Sequence, residues 1–284
     1  MLFIVSELIL VMLIDSHTHL EMEDFDGDRD AVVERARQAG VEFMITVGTS
    51  ITYCRKALDL ASRYGEVYVA VGIHPHDVKD IDDGTYDELR KLVAMEKVVA
   101  YGEIGLDFFR DLSPRQVQME RFGEQLELAE EVDLPVIIHD REAHREILDM
   151  LGSRRERLRG VIHCFSGDLT MARQCLDLGF SISVPGTVTF DKATELQRVV
   201  QYVPLEFLLV ETDAPYLAPQ PYRGKRNEPA YVVKTAAKIA ELKGLSWEEV
   251  ACQTTKNAKT LFGLNGRDRP GGSSLRPVGL PSII

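Results

Sequence analysis

The strongest constraint on this chain is its rhythm: eight short apolar runs, each separated from the next by an amphipathic stretch. The runs lie near Met12–Asp15, Phe43–Val47, Val67–Gly72, Val98–Gly102, Pro135–Ile138, Gly160–His163, Phe180–Val184 and Phe207–Val210. They are rich in Val and Ile, and their apolar residues often stand side by side. That pattern suits strands buried on both faces, as in a parallel sheet covered by helices. Between them, Arg29–Ala39, Tyr53–Tyr64, Asp87–Met95, Gln116–Val132, Glu142–Leu151, Leu169–Leu178 and Thr194–Tyr202 carry apolar residues near helical spacing. Two further helices are expected after the last strand, at Tyr231–Lys243 and Trp247–Thr255. Ser246 and Glu249 form a capping box for the second of these, and Gly40, Gly152 and Gly179 stand where helices should end.

Strand–helix alternation with eight strands predicts an α/β fold, a (β/α)8 TIM barrel in a single domain, and the 284-residue length fits one such barrel. An open doubly wound sheet is the competing architecture; the lack of GxGxxG after the first strand weakens its dinucleotide-binding version. The barrel is expected over residues 12–265. Residues 1–11 are apolar but lack the basic start and cleavage site of a signal peptide, and read as an extension ahead of a natural start at Met12. Residues 266–284, rich in Gly, Pro, Ser and Arg without periodicity, read as a disordered tail.

Of seven histidines, all but His144 fall at or just after the carboxyl end of an expected strand, where barrels of this type carry their active sites. His17 and His19 are two apart on a strand, so both rings face the same way and can hold one cation. Glu103 follows the fourth strand, flanked by Gly102 and Gly105; its two oxygens are separate ligands and can bridge two cations. His139 and His163 end the fifth and sixth strands, and Asp213 ends the eighth as a metal ligand and the base that deprotonates an attacking water. Four imidazoles and two carboxylates suffice for two divalent cations, and the donor types admit Mg, Mn or Zn. His74 is expected to contact substrate, with Arg141, Arg223, Lys225 and Arg226 as phosphate contacts. His76 is as easily structural as functional, and His144 reads as a solvated helix residue. Asp15 and Glu211, each two residues before a ligand, are expected to orient the metal ligands.

A net charge of −12 argues against a large electrostatic footprint on nucleic acid, while leaving room for a nucleic-acid end in a metal-lined pocket. Cys54, Cys164, Cys175 and Cys252 form no CxxC pair and read as reduced thiols of a cytoplasmic protein. No run is long enough to span a membrane, and no obligate protein partner is evident.

DSHTHL at 15–20, GIHPH at 72–76, GEIGLD at 102–107, His139-Asp140-Arg141, HCFSG at 163–167, ETDAPYLAP at 211–219 and YRGKRNEP at 222–229 together resemble the TatD family of metal-dependent deoxyribonucleases, which is similar to the amidohydrolase superfamily. The resemblance runs from about Met12 to Gly263. It implies that His17, His19, Glu103, His139, His163 and Asp213 are the metal ligands. It also implies Mg-stimulated hydrolysis of phosphodiester bonds, with 3′-to-5′ trimming of DNA ends and single strands favoured. One alternative is an amidohydrolase acting on esters or amides, such as a D-aminoacyl-tRNA deacylase, although Glu103 stands where many such enzymes carry a carboxylated lysine. A barrel that binds metal or a partner without catalysis is the other; burying so many unpaired carboxylates and imidazoles without a metal argues against it.

Overall fold

The computed structural model describes residues 12–265; the expected extension over 1–11 and tail over 266–284 lie outside the described residues. Each apolar run becomes a strand: β1 (Leu13–Thr18), β2 (Val41–Gly48), β3 (Val67–Val71), β4 (Val98–Asp107), β5 (Val136–Arg141), β6 (Gly160–Ile162), β7 (Ser181–Val184) and β8 (Leu208–Val210). They pair in chain order, every neighbour parallel. A parallel bridge between Thr18 and Ala214 brings β1 beside the end of β8, so the sheet curls into a barrel. The helices are α1 (Arg29–Gln38), α2 (Ile51–Arg63), α3 (Thr85–Val93), α4 (Arg115–Val132), α5 (His144–Gly152), α6 (Leu169–Asp177), α7 (Thr194–Tyr202), α8 (Val232–Lys243) and α9 (Trp247–Phe262). Among the described residues no helix is long and apolar enough to cross a membrane, and all four cysteines are free.

Two apolar layers hold this together. Outward-facing strand residues such as Leu13, Met44, Val69, Tyr101 and Ile138 pack under helix residues such as Val32, Leu60, Leu89, Phe122 and Ile147. Inward-facing residues, Ile14, Ile45, Val47, Ala70, Ala100, Ile137, Val161 and Leu209, fill the barrel, and Ala258, Phe262 and Leu264 complete that cluster. The Thr255 hydroxyl donates to the Met12 carbonyl, and the Asn257 amide donates to the carbonyls of Leu205 and Leu208. Those bonds lay α9 across the amino ends of the strands. One end of the barrel is therefore stoppered, and chemistry is confined to the other.

Four elements run three or more residues past their expected ends. β1 continues to Thr18, β4 to Asp107 and β5 to Arg141, because the ladder goes on where the side chains turn polar. α9 continues to Phe262, since Ala258 and Phe262 extend its buried face before Gly263 closes it in the left-handed conformation. The expected capping box forms between Ser246 and Glu249.

Candidate metal centre

The β4 ladder slips between Gly102 and Ile104. Ala100 faces the barrel interior, whereas Tyr101 and Ile104, three residues apart, both face the helices. Strict alternation would send Glu103 inward only if Ile104 faced outward and Gly102 outward as well; the slip supplies the missing step and turns the Glu103 carboxylate into the mouth. Glycine is required beside it. A Cβ on Gly102 would lie 2.7 Å from the Ile137 carbonyl oxygen, and one on Gly105, whose φ is +147°, would overlap the His139 carbonyl. These close approaches seat β4 against β5 and set Glu103 next to His139. β1 also slips, between Asp15 and Thr18, at the point where His17 and His19 enter the mouth.

Glu103 is 3% exposed and stands among the histidines. Its Oε1 lies 2.6 Å from His139 Nδ1, 2.7 Å from His163 Nε2 and 3.5 Å from His74 Nε2. Its Oε2 lies 3.4 Å from His17 Nε2. That nitrogen is in turn 3.3 Å from His19 Nε2 and 3.8 Å from Asp213 Oδ1, and His19 Nε2 is 3.5 Å from the same Asp213 oxygen. All six expected ligands thus converge, in two groups that meet at one carboxylate.

The donor chemistry of these groups fits a divalent metal. His19 sets Nδ1 against the Val47 carbonyl at 3.0 Å, His139 sets Nε2 against Asp107 Oδ2 at 3.2 Å, and His163 sets Nδ1 toward Glu211 Oε1 at 3.5 Å. In His19 and His139 the outer nitrogen meets an acceptor and so carries the hydrogen, His163 Nδ1 stands short of a hydrogen bond to Glu211, and in all three rings the inner nitrogen faces a carboxylate. A neutral imidazole has one N–H and cannot serve both sides. The inner nitrogens of His19 and His139 need either a second proton or a cation, and outer partners of this kind are what orient metal-ligating histidines. His74 differs. Its Nδ1 accepts from the His76 backbone N–H, so in the neutral ring the hydrogen sits on Nε2, which donates toward Glu103. Burial lowers its pKa to about 4, keeping it neutral.

The electrostatics agree. Burial works against charge on His19, but Asp213 and Glu21 outweigh it and hold the ring well above the ordinary histidine range. Burial is likewise overcome at His139 by Asp107 and Glu103, and at His163 by Glu103 and Glu211. Burial and the neighbouring His163 lower His17. Against its own burial, Glu103 is drawn well below the usual carboxylate range by His163, His74 and His139. Asp213 is lowered, again against burial, by His19 and His17. Because metal must displace protons from rings whose pKa values are raised, apparent affinity should fall as pH drops through and below those raised values. Calorimetric titration with Mn2+ in buffers of different ionisation enthalpy should show proton release on binding; no release would mean these rings are not the ligands.

Asp15 and Glu211 are fully buried. Glu211 serves the orienting role, facing His163 and accepting from the Cys164 backbone N–H at 2.7 Å. Asp15 acts on the backbone: it accepts from the Thr212 N–H at 2.9 Å and the Thr212 hydroxyl at 2.5 Å, fixing the segment that carries Asp213, and burial raises its pKa to about 8. Two groups had no role assigned from sequence. Asp107 Oδ2 takes both His139 and His76, the latter at 2.8 Å. Glu21 accepts from Thr46 at 2.5 Å and lies 3.6 Å from His19. Both had a signal: Asp107 closes the GEIGLD run at a strand's carboxyl end, and Glu21 continues the two-residue spacing of His17 and His19. Asp107→Asn should weaken metal affinity about 10- to 100-fold by loosening His139, read by a metal-binding isotherm; unchanged affinity would reduce Asp107 to a structural group.

The rim holds the remaining candidates. Arg141 is exposed, with its guanidinium 4.0 Å over the Phe109 ring. Arg223 is exposed and lies 4.6 Å over Phe190, and Lys225 is exposed beside it. Arg226 is committed elsewhere: it donates to both Asp28 oxygens at 2.8 Å and to the Asp24 carbonyl, tying its loop to the residues just before α1. His144 opens α5 with Nδ1 3.0 Å from Asp140 Oδ2 and is part-buried, so it is more engaged than a solvated helix residue.

The family model described as TatD related DNase matches residues 14–263. The chain belongs to the TatD-related DNase family. A Bacillus subtilis member, described as an uncharacterized metal-dependent hydrolase YabD, is 44% identical over 255 residues, covering 89% of this chain and 100% of that protein. The 3′-5′ ssDNA/RNA exonuclease TatD of Klebsiella pneumoniae is 38% identical over 259 residues, covering 89% of this chain and 98% of that one. Among solved structures, the TatD homologue YJJV from Escherichia coli K12 superposes with a TM-score of 0.84 at 36% identity, covering 89% of this chain and 99% of that one.

Proposed function

We propose that this TatD-family hydrolase cleaves phosphodiester bonds at DNA 3′ ends, as a 3′-5′ exodeoxyribonuclease using two divalent cations. The observation that carries this is the division of labour at Glu103: Oε1 faces His139 and His163, while Oε2 faces His17, behind which stand His19 and Asp213. A carboxylate shared between two nitrogen-rich groups would suit a pair of cations, and Mg, Mn and Zn all match the donor types. When bound, such a pair acidifies a water and offsets the charge that builds up on a transferring phosphoryl group.

The chain's own residues do the rest. Asp213, ionised and at the mouth, accepts the proton of the attacking water. The water oxygen bonds to phosphorus, the bond to the leaving sugar oxygen breaks, and that oxygen takes a proton from solvent while Asp213 returns the water's proton to solvent. His74, neutral with its one hydrogen on Nε2, turns that hydrogen from Glu103, 3.5 Å away, to a phosphate oxygen when substrate is bound. Arg141, Arg223 and Lys225, exposed at the rim, meet the neighbouring phosphates. An acidic chain with this small cationic rim is suited to gripping a strand end in a pocket, not to tracking along a duplex.

The relatives described as 3′-5′ ssDNA/RNA exonucleases support the substrate class. The test is incubation of 5′-labelled single-stranded DNA with the protein in Mg2+ or Mn2+, with EDTA as control. A ladder shortening from the 3′ end that EDTA abolishes is expected. Intact DNA in every metal would overturn the proposal, and hydrolysis of an aminoacyl ester by the same preparation would put the deacylase chemistry in its place.

A further inference from the structure

Seven large apolar side chains stand exposed among the described residues, and four of them, Phe109, Leu112, Tyr216 and Leu217, belong to the two loops that follow β4 and β8. In an eight-stranded barrel these strands lie half a turn apart, so the loops face each other across the mouth. Apolar surface gathered at a site, rather than scattered, marks a contact.

Both aromatic residues are tied by their backbones to residues of the centre. The Phe109 backbone N–H donates to Asp107 Oδ1 at 3.1 Å, and the other Asp107 oxygen takes His139. Phe109 is nevertheless 58% exposed, with the Arg141 guanidinium against its ring. On the far side, the Tyr216 backbone N–H donates to the Asp213 carbonyl, and its ring centroid is 6.2 Å from that of His19. Tyr216 is 51% exposed. Each of the two facing loops therefore carries an exposed aromatic residue tied to a residue of the centre, and one of the two rings is paired with a cation. A nucleic-acid strand has the matching order, base, phosphate, base.

We propose that Phe109, together with Arg141, and Tyr216 form a clamp that stacks on the two bases flanking the cleaved phosphate, and that this clamp makes the enzyme selective for unpaired strand ends. The clamp rests on the phosphodiesterase reading above. Aromatic side chains stack on any base, so it imposes no sequence preference. In a duplex the base faces are already stacked and the edges paired, and a terminal base pair must open before the rings can be used.

The test pairs protein and substrate changes. The kcat/KM is measured on a single-stranded oligonucleotide with its last two nucleotides intact and on the same oligonucleotide made abasic at both. The unsubstituted protein should lose about 5- to 150-fold for each of the two bases removed, the range of one stacked base. Phe109→Ala/Tyr216→Ala should lose a similar factor on the intact end and no longer distinguish the two substrates. Each single alanine variant should fall between, while Phe109→Trp and Tyr216→Phe should keep the preference. Either single variant behaving as the unsubstituted protein would overturn the clamp, as would a double variant that slows equally on both substrates. Failure of the unsubstituted protein to cut any oligonucleotide would instead overturn the nuclease reading, and the clamp with it.

Discussion

Glu103→Ala should reduce turnover on DNA by about 10³-fold or more while leaving the protein folded. Metal ions contribute several kcal/mol of transition-state stabilisation, and every ~1.4 kcal/mol is a factor of ten in rate. The bridging position makes one substitution act on both ligand groups: His139 and His163 lose their shared oxygen at Oε1, and His17 loses its partner at Oε2. The fold survives because the apolar layers lie elsewhere, between strands and helices and in the stoppered half of the barrel. Losing the carboxylate also removes the largest charge that holds a proton on His163 and one of the two that hold it on His139, which weakens their protonation, so His163 is not stranded as a buried cation. Steady-state kinetics beside a thermal melt checks this. A variant that turns over at the normal rate would remove Glu103 from the chemistry, and a collapsed melt would assign it to the fold.

Asp213→Asn is the second large effect, a fall in kcat of about 10²- to 10⁴-fold, the range for loss of a positioned base. Asparagine is the informative replacement for a backbone reason. Asp213 has a φ of +55°, in the left-handed region that Asn tolerates as well as Asp does. The turn to Ala214 and the anchoring of Thr212 by Asp15 should persist. What goes is the charge and the ability to take a proton. If Asp213 is chiefly the base, kcat falls while KM and metal content change much less. If it is chiefly a ligand to one cation, metal content falls with kcat. Retention of both kcat and metal would remove it from the site.

The barrel was legible because both periodicities were unobstructed: β-branched runs for strands and amphipathic stretches between them. The six candidate ligands, which the structure brings together, were legible because each is polar at or just beyond the end of an apolar run. What escaped depends on geometry that spacing does not carry. Glu103 looked like a residue just past its strand, yet β4 continues through it to Asp107, and a register slip aims it. Asp107 and Glu21 carry a positional signal in the sequence, but that each meets the far side of a histidine follows only from where the rings lie. Arg226 sits in the same loop as Arg223 and Lys225, and only its pairing with Asp28 separates it from them. Phe109 and Tyr216 gave no signal, since an aromatic residue in a loop is as readily buried as exposed. The extra length of α9 was written in Ala258 and Phe262, at helical spacing from the residues before them.

In the proposed two-cation centre Glu103 would lie between the ions, one held with His17, His19 and Asp213 and the other with His139 and His163. The most direct measurement is a crystal structure of the protein grown or soaked in Mn2+, with anomalous scattering recorded near the manganese edge. Two anomalous peaks flanking the Glu103 carboxylate, one against each group of ligands, are the expected result. Peaks confined to sites away from Glu103, or none at a saturating Mn2+ concentration, would contradict the account.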